Sequence, residues 1–251
     1  MFFFLDFQSP STWHWAFSFV APVGIALHGL RKKKLDQSGA TMGLFVGFIL
    51  TVSCVRFFAS LLAFFLAASK ATVYRSEAKK KVEADFKEGG QRNWVQVVSN
   101  GGPACVFAIL YMWEVGSLDV PVNFNSRLYS ASWYAVATMA CLASASGDTF
   151  ASSIGVVAGN SDPFHVLKLS RVPRGTNGGV SFYGTLSSII GGFIVGFAFY
   201  VCELLLLYSE DLLEAPPQWP VILYGGLAGF LGSMIDSVLG ASLQFSGDNL
   251  N

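Results

Sequence analysis

Asp148 and Asp236 each stand beside a hydroxyl residue, Thr149 and Ser237, in the runs SASGDTFASSIG (144–155) and GSMIDSVLG (232–240). Both runs are otherwise small or apolar. A carboxylate in or at the end of such a segment is costly and faces protein or water. A carboxylate next to a hydroxyl suits Mg²⁺, which takes oxygen ligands together with phosphate oxygens. Two other readings stand beside this one. Asp and Thr cap helices well, which fits Asp148 between Gly147 and Thr149. Intramembrane carboxylates also conduct protons or ions, which fits Asp236.

A second group of residues is suited to anions. In RVPRGTNGG (171–179) the guanidiniums of Arg171 and Arg174 can fork onto phosphate oxygens. Gly175, Gly178 and Gly179 let backbone N–H groups approach an anion, and Thr176 and Asn177 add neutral donors. The apolar run that starts at Val180 would add the positive end of a helix dipole. The stretch matches neither the GxxxxGK[ST] nor the GxGxxG pattern. Its plainer reading is a tight turn whose arginines follow the bias of basic residues to one side of a membrane. GGQRNW (89–94) sets Gln91, Arg92 and Asn93 at the mouth of another apolar run.

The elements that position these residues must be membrane helices. Of the 251 residues 53% are hydrophobic and 13% charged, against about 25% charged in soluble domains. The formal net charge is zero, so no global field favours nucleic acid. Spans of about 20 apolar residues fall near 13–30, 94–116, 131–147, 180–207 and 220–241. The block 40–69 is either one tilted helix or a hairpin of two short arms. Charge decides for the hairpin, because it places the basic loops 31–39, 70–93 and 161–179 on one side and the acidic loop 208–219 on the other. Arms of about 14 residues reach only ~21 Å. Arg56 would then lie near the turn and snorkel. The expected fold is all-α, a single polytopic membrane domain over 1–251 with six to seven helices and a cytoplasmic loop at 70–93. Within that loop Glu77/Lys81 and Glu83/Lys87 have helical i,i+4 spacing. Cys54, Cys105, Cys141 and Cys202 lie apart inside apolar runs and read as buried thiols. Glu203 reads as an interfacial carboxylate, and His14, His28 and His165 receive no role.

In order, FKEGGQRNWVQVVSNG, SGDTFASSIG, PRGTNGGVSFYGT and GSMIDSVLGASLQFSG resemble the hallmark segments of the transmembrane protein 19 family, which includes plant phytyl-phosphate kinase. LDQSGATMGLFVGF and FFLAASKAT also fit, so the resemblance covers roughly His28 to Gly247. GDTFAS is similar to a segment of dolichol and phytol kinases, which use CTP. Two departures stand out. Ser153 occupies the place where the family usually has Glu, and the chain ends at GDNLN where the family continues into a further apolar stretch.

The resemblance implies a membrane kinase that transfers a phosphoryl group from CTP or another nucleotide to an isoprenoid monophosphate. The expected roles follow. Asp148 and Asp236 are catalytic and hold Mg²⁺ with Thr149 and Ser237. Arg171, Arg174 and Gly175 to Gly179 hold the nucleotide phosphates. Gln91, Arg92 and Asn93 receive the acceptor phosphate at the membrane surface, with its tail between spans. An endomembrane such as the endoplasmic reticulum is the expected location, with the motif loops cytoplasmic. A transporter or channel built on the two aspartates, a non-catalytic family member, and cytidylyl transfer are the alternatives.

Overall fold

The computed structural model describes residues 10–75, 90–125, 127–159, 162–207 and 209–244. The described helices are α1 (Thr12–Arg31), α2 (Gln37–Ser53), α3 (Val55–Val73), α4 (Trp94–Val115), α5 (Tyr129–Gly155), α6 (Phe182–Leu206), α7 (Ser209–Glu214) and α8 (Pro220–Leu243). A two-residue antiparallel ladder pairs β1 (Phe164–His165) with β2 (Gly179–Val180) in the α5–α6 connection. This is the all-α membrane bundle expected. By length and composition α3, α4, α6 and α8 are apolar enough to cross a membrane, and α2 is a shorter apolar helix. With α1 and α5 they make seven long helices among the described residues. α5 is rich in Ser, Thr and Gly, and a helix can carry so many where protein rather than lipid surrounds it. It packs against α3, α4, α6 and α8, with Ser132, Thr138, Ser146 and Ser153 buried.

The 40–69 block is a hairpin. Cys54 is extended (φ −167°, ψ 133°) and ends α2 one residue before α3 begins. The start of α2 and the end of α3 lie at the same end of the bundle. There Lys34 Nζ donates to the Ser69 carbonyl (3.5 Å), and Leu35 bridges to Arg92 beside the start of α4. The arms have 17 and 19 residues, longer than expected, because a single residue makes the break.

Arg56 does not snorkel. It is fully buried at the start of α3, and its Nη1 donates to Glu203 Oε1 at 2.6 Å. Its Nε lies 3.3 Å from Asp119, and its Nη2 donates to the Val120 carbonyl (2.7 Å) and the Tyr111 hydroxyl (3.3 Å). Glu203 is fully buried too, not interfacial. Each charge finds its partner in the other, so neither needs water. Cys54 and Cys105 are buried and Cys141 and Cys202 half-buried, all as free thiols. Cys54 Sγ also donates to Asp119 (2.8 Å), a role beyond filling space. His14 is buried and bonded to the Thr51 carbonyl (2.8 Å). The helix expected around Glu77–Lys87 lies outside the described residues.

Opposite the Arg56 network, the basic connections gather at one end of the bundle. Arg75 Nη1 donates to the Val157 carbonyl (3.1 Å), joining the end of α3 to the end of α5. The α5–α6 connection and the end of α8 lie there as well. The sidedness expected from charge is therefore a property of the fold.

Candidate functional site

Three helices approach closely at glycines. A Cβ on Gly147 of α5 would collide with the backbone of Gly229 in α8, and one on Gly192 of α6 with the Gly225 carbonyl of α8. Ser144 Oγ donates to the Ala228 carbonyl (3.0 Å) and Ser146 Oγ to the Gly191 carbonyl (2.8 Å). Small residues let helix backbones approach this closely in lipid. The stripes GGFIVG and GGLAGFLG thus set the spacing of α5, α6 and α8. Gly229→Val should destabilise the protein by about 1–3 kcal/mol of overpacking, because an added Cβ would lie 2.5 Å from the Ser188 carbonyl. Thermal unfolding in detergent tests this; an unchanged Tm would mean that the helices separate at no cost.

This close packing brings together the two acidic stretches. Asp148 and Asp236 lie well inside α5 and α8, so neither caps a helix. Their carboxylates are close enough for the two charges to interact. Two carboxylates at that range repel unless a cation or a shared proton lies between them. Both line a cavity of about 240 Å³ that Arg174 to Gly179 also line. On α5, Asp148, Ala151, Ser152 and Gly155 face it at helical spacing.

This loop is held by its own bonds. Arg174 Nη2 donates to the Gly159 carbonyl (2.8 Å), and Thr176 Oγ1 to the Pro173 carbonyl (2.8 Å). The N–H groups of Thr176 and Gly179 are taken by turns within the loop. The N–H groups of Gly175, Asn177 and Gly178 remain without a protein partner among the described residues. Gly178 has φ +78° and packs on Ala241 of α8, where a Cβ has no room. That seat fixes the loop to the helix that carries Asp236. Ser181 caps α6 by accepting from the Gly184 N–H (3.1 Å), and it borders the same cavity.

Of the residues singled out in the sequence, the cavity gathers Asp148, Asp236, Ser237, Arg174, Gly175, Thr176, Asn177, Gly178 and Gly179. It does not gather the rest. Thr149 turns away and donates to the Ala145 carbonyl (2.8 Å). Arg171 is exposed, with its guanidinium 5.3 Å from the Phe164 ring. Gln91, Arg92 and Asn93 line no part of it. Gln91 Nε2 donates to the Leu35 carbonyl (3.3 Å), and Asn93 forms a capping box with Gln96 at the start of α4. Ser153 is buried on a face of α5 that the cavity does not touch. A Ser there in place of Glu therefore removes no group from the cavity wall. The sequence reading missed Ser152, Thr185, Ser188, Ser233 and Gln244. Ser152 was legible, since it follows Asp148 at i+4.

A family model described as an integral membrane protein, DUF92, matches residues 20–250. The chain belongs to the DUF92 family. Among the relatives of this DUF92 protein is Protein PGR of Arabidopsis thaliana, 37% identical over 225 residues, which are 89% of this chain and 76% of PGR. An uncharacterised membrane protein of Methanocaldococcus jannaschii, MJ0933, is 27% identical over 89% of this chain and 80% of its own. Protein VTE6, chloroplastic, of Arabidopsis thaliana is 26% identical over 72% of this chain and 48% of its own. No solved structure matches the chain. The DUF92 protein is therefore a multi-pass integral membrane protein. The endoplasmic reticulum expected above draws no support from these relatives, one of which is chloroplastic by name.

Proposed function

We propose that this DUF92 protein is a prenyl-phosphate kinase of the transmembrane protein 19 branch, passing a phosphoryl group from a CTP-like nucleotide to an isoprenoid monophosphate. The observation that carries the reading is one polar cavity among membrane helices, lined by Asp148 and Asp236 and by the Arg174–Gly179 loop. Phosphoryl transfer asks mainly for charge neutralisation and alignment, and these two groups supply both. The donor set fits Mg²⁺, which binds through one or two carboxylates plus substrate phosphates. Asp148, Asp236 and Ser237 would hold it, and when bound it would neutralise charge on the transferring phosphate. Thr149 is not proposed as a ligand, because its side chain does not reach the cavity.

Arg174 and the free N–H groups of Gly175, Asn177 and Gly178 would orient the nucleotide phosphates. Arg171 would act only from the rim. Reacting atoms must sit about 3–3.5 Å apart, so the acceptor phosphate must enter this same cavity. An acceptor phosphate is already ionised near neutral pH, so no strong general base is required. That agrees with Ser153 lying outside the wall. In this reading the motif loops, all at the basic end of the bundle, face the cytoplasm or its organellar counterpart.

The tail fits an apolar groove between α5 and α8 walled by Phe124, Trp133, Tyr224, Leu227, Ala228 and Leu231. Leu231 at one end of it is a helical turn from Met234 in the phosphate cavity. From Tyr224 to Asp236 the α8 rise is about 18 Å. Ala228→Leu should fill the groove. It should raise KM for a twenty-carbon prenyl monophosphate about tenfold, a few buried methylenes' worth, and leave a ten-carbon acceptor unaffected. Equal KM changes for both acceptors would remove the tail from this groove.

The test of the function is turnover by detergent-purified protein with Mg²⁺, labelled CTP or ATP, and a panel of prenyl monophosphates. Prenyl diphosphate is the expected product. Release of pyrophosphate would replace the reading by cytidylyl transfer, and prenyl-phosphate flux without nucleotide turnover would replace it by a transporter.

A further inference from the structure

Arg92 is a buried charge that the transfer reaction does not use. The backbone fixes it in place: its N–H donates to the Lys34 carbonyl (3.0 Å), and its carbonyl accepts from the Asp36 N–H (3.1 Å). Only 9% of the residue is exposed, and its Nη2 has no hydrogen-bond partner. The guanidinium lies 5.4 Å from the Phe64 ring and 6.0 Å from the Phe65 ring. It lines an apolar cavity of about 70 Å³ among α1, α2, α3 and α4, walled by Pro22, Val46, Phe58, Phe65 and Val97.

Among the described residues no carboxylate pairs with this charge. The ion pairs among the described residues are both made by Arg56. The Asp36 carboxylate accepts instead from Ser38 Oγ and the Gly39 N–H, each at 2.7 Å. Lys34 lies close enough to feel the Arg92 charge. Burial and the Arg92 charge together push the Lys34 ammonium below its ordinary pKa. Burial alone pushes Arg92 down to about 10, so it is still a cation at neutral pH.

A buried, unpaired guanidinium is unfavourable unless an anion completes the site. Water is a poor substitute, because a buried water needs several polar partners, and besides Arg92 only Asn100 among the described residues brings a polar side chain to this cavity. The missing group is therefore an anion with an apolar body. We propose that the Arg92 cavity binds an anionic amphiphile, its phosphate on the guanidinium and the first few carbons of its alkyl chain in the cavity, at a site separate from the two-aspartate cavity. The site lies at the basic end of the bundle, beside the start of α4. A bilayer phospholipid and a prenyl monophosphate share this chemistry. Binding here does not depend on the kinase reading.

The experiment uses the full chain in a neutral detergent, with dodecyl phosphate as the probe and inorganic phosphate and dodecanol as controls. Dodecyl phosphate should bind and raise Tm, and neither half alone should do so. Arg92→Met should weaken binding about tenfold or more, the scale of one charge-assisted hydrogen bond, and Arg92→Lys should restore part of it. Ligand-free Arg92→Met should melt no lower than the parent, since it removes a buried unpaired charge. The component sensitive to Arg92 should persist in Asp236→Asn, which separates this site from the reaction cavity. Competition by phosphatidylglycerol or by a prenyl monophosphate identifies the source of the natural ligand. The proposal is overturned if Arg92→Met binds dodecyl phosphate like the parent, or if it lowers Tm without ligand and leaves affinity unchanged. It is equally overturned if dodecanol competes as well as the phosphate does.

Discussion

Asp236→Asn is expected to lower prenyl-phosphate turnover about a hundred- to a thousandfold, the usual cost of removing one preorganised electrostatic group from a reaction centre. The change is nearly isosteric, and Asp236 is an exposed residue that packs no core, so Tm should stay put. Asp148→Asn should cost about as much. The double variant should be hardly worse than either single one, because groups that act as a unit are not additive. Mg²⁺ titrations of turnover give a second readout: each single variant should need more metal for half-maximal rate. A loss under tenfold in both variants, with an unchanged metal requirement, would remove the aspartate pair from the reaction. Their meeting across α5 and α8 would then be a feature of packing.

The largest effect on stability is expected at the other end of the molecule. Arg56→Met should cost about 3–5 kcal/mol, because it leaves Glu203 charged and buried with no cation. Glu203 Oε2 already lacks a hydrogen-bond partner. Glu203→Leu should cost less, because Asp119 still pairs with Arg56 at 3.3 Å. The double variant should recover most of the loss, since a buried pair replaced by apolar side chains is often neutral. Thermal unfolding of the four proteins in one detergent measures the coupling. A single Arg56→Met variant as stable as the parent would show that water or lipid reaches this network. Turnover at a permissive temperature should be unaffected in the double variant, because the network lies opposite the two-aspartate cavity.

Some of this was legible in the residues themselves. Long apolar runs imply membrane helices, because no soluble fold of this size hides so much apolar surface. The sidedness of Lys and Arg implied the hairpin at 40–69. Asp148, Asp236 and the Arg174–Gly179 loop stood out because charge and glycine are rare and expensive where they occur. The same logic failed for Arg56 and Glu203. They are 147 residues apart, and nothing local marks them as partners, so each was read as escaping to water. Thr149 and Arg171 lie outside the cavity, because adjacency along a helix or loop is not adjacency in space.

The sequence by itself determined the class of the protein, its division into helices, the end of the bundle that carries the basic loops, and the residue types able to meet phosphate. Those properties depend on composition and on short-range periodicity, which the chain states directly. Only the tertiary structure decided which of those residues share a cavity. Glycine contacts between α5, α6 and α8 set the rotation of each helix, and a turn of about 100° per residue separates Asp148, which faces the cavity, from Thr149, which does not. Only the tertiary structure showed, in the same way, that Arg92 answers to a different cavity from Arg174.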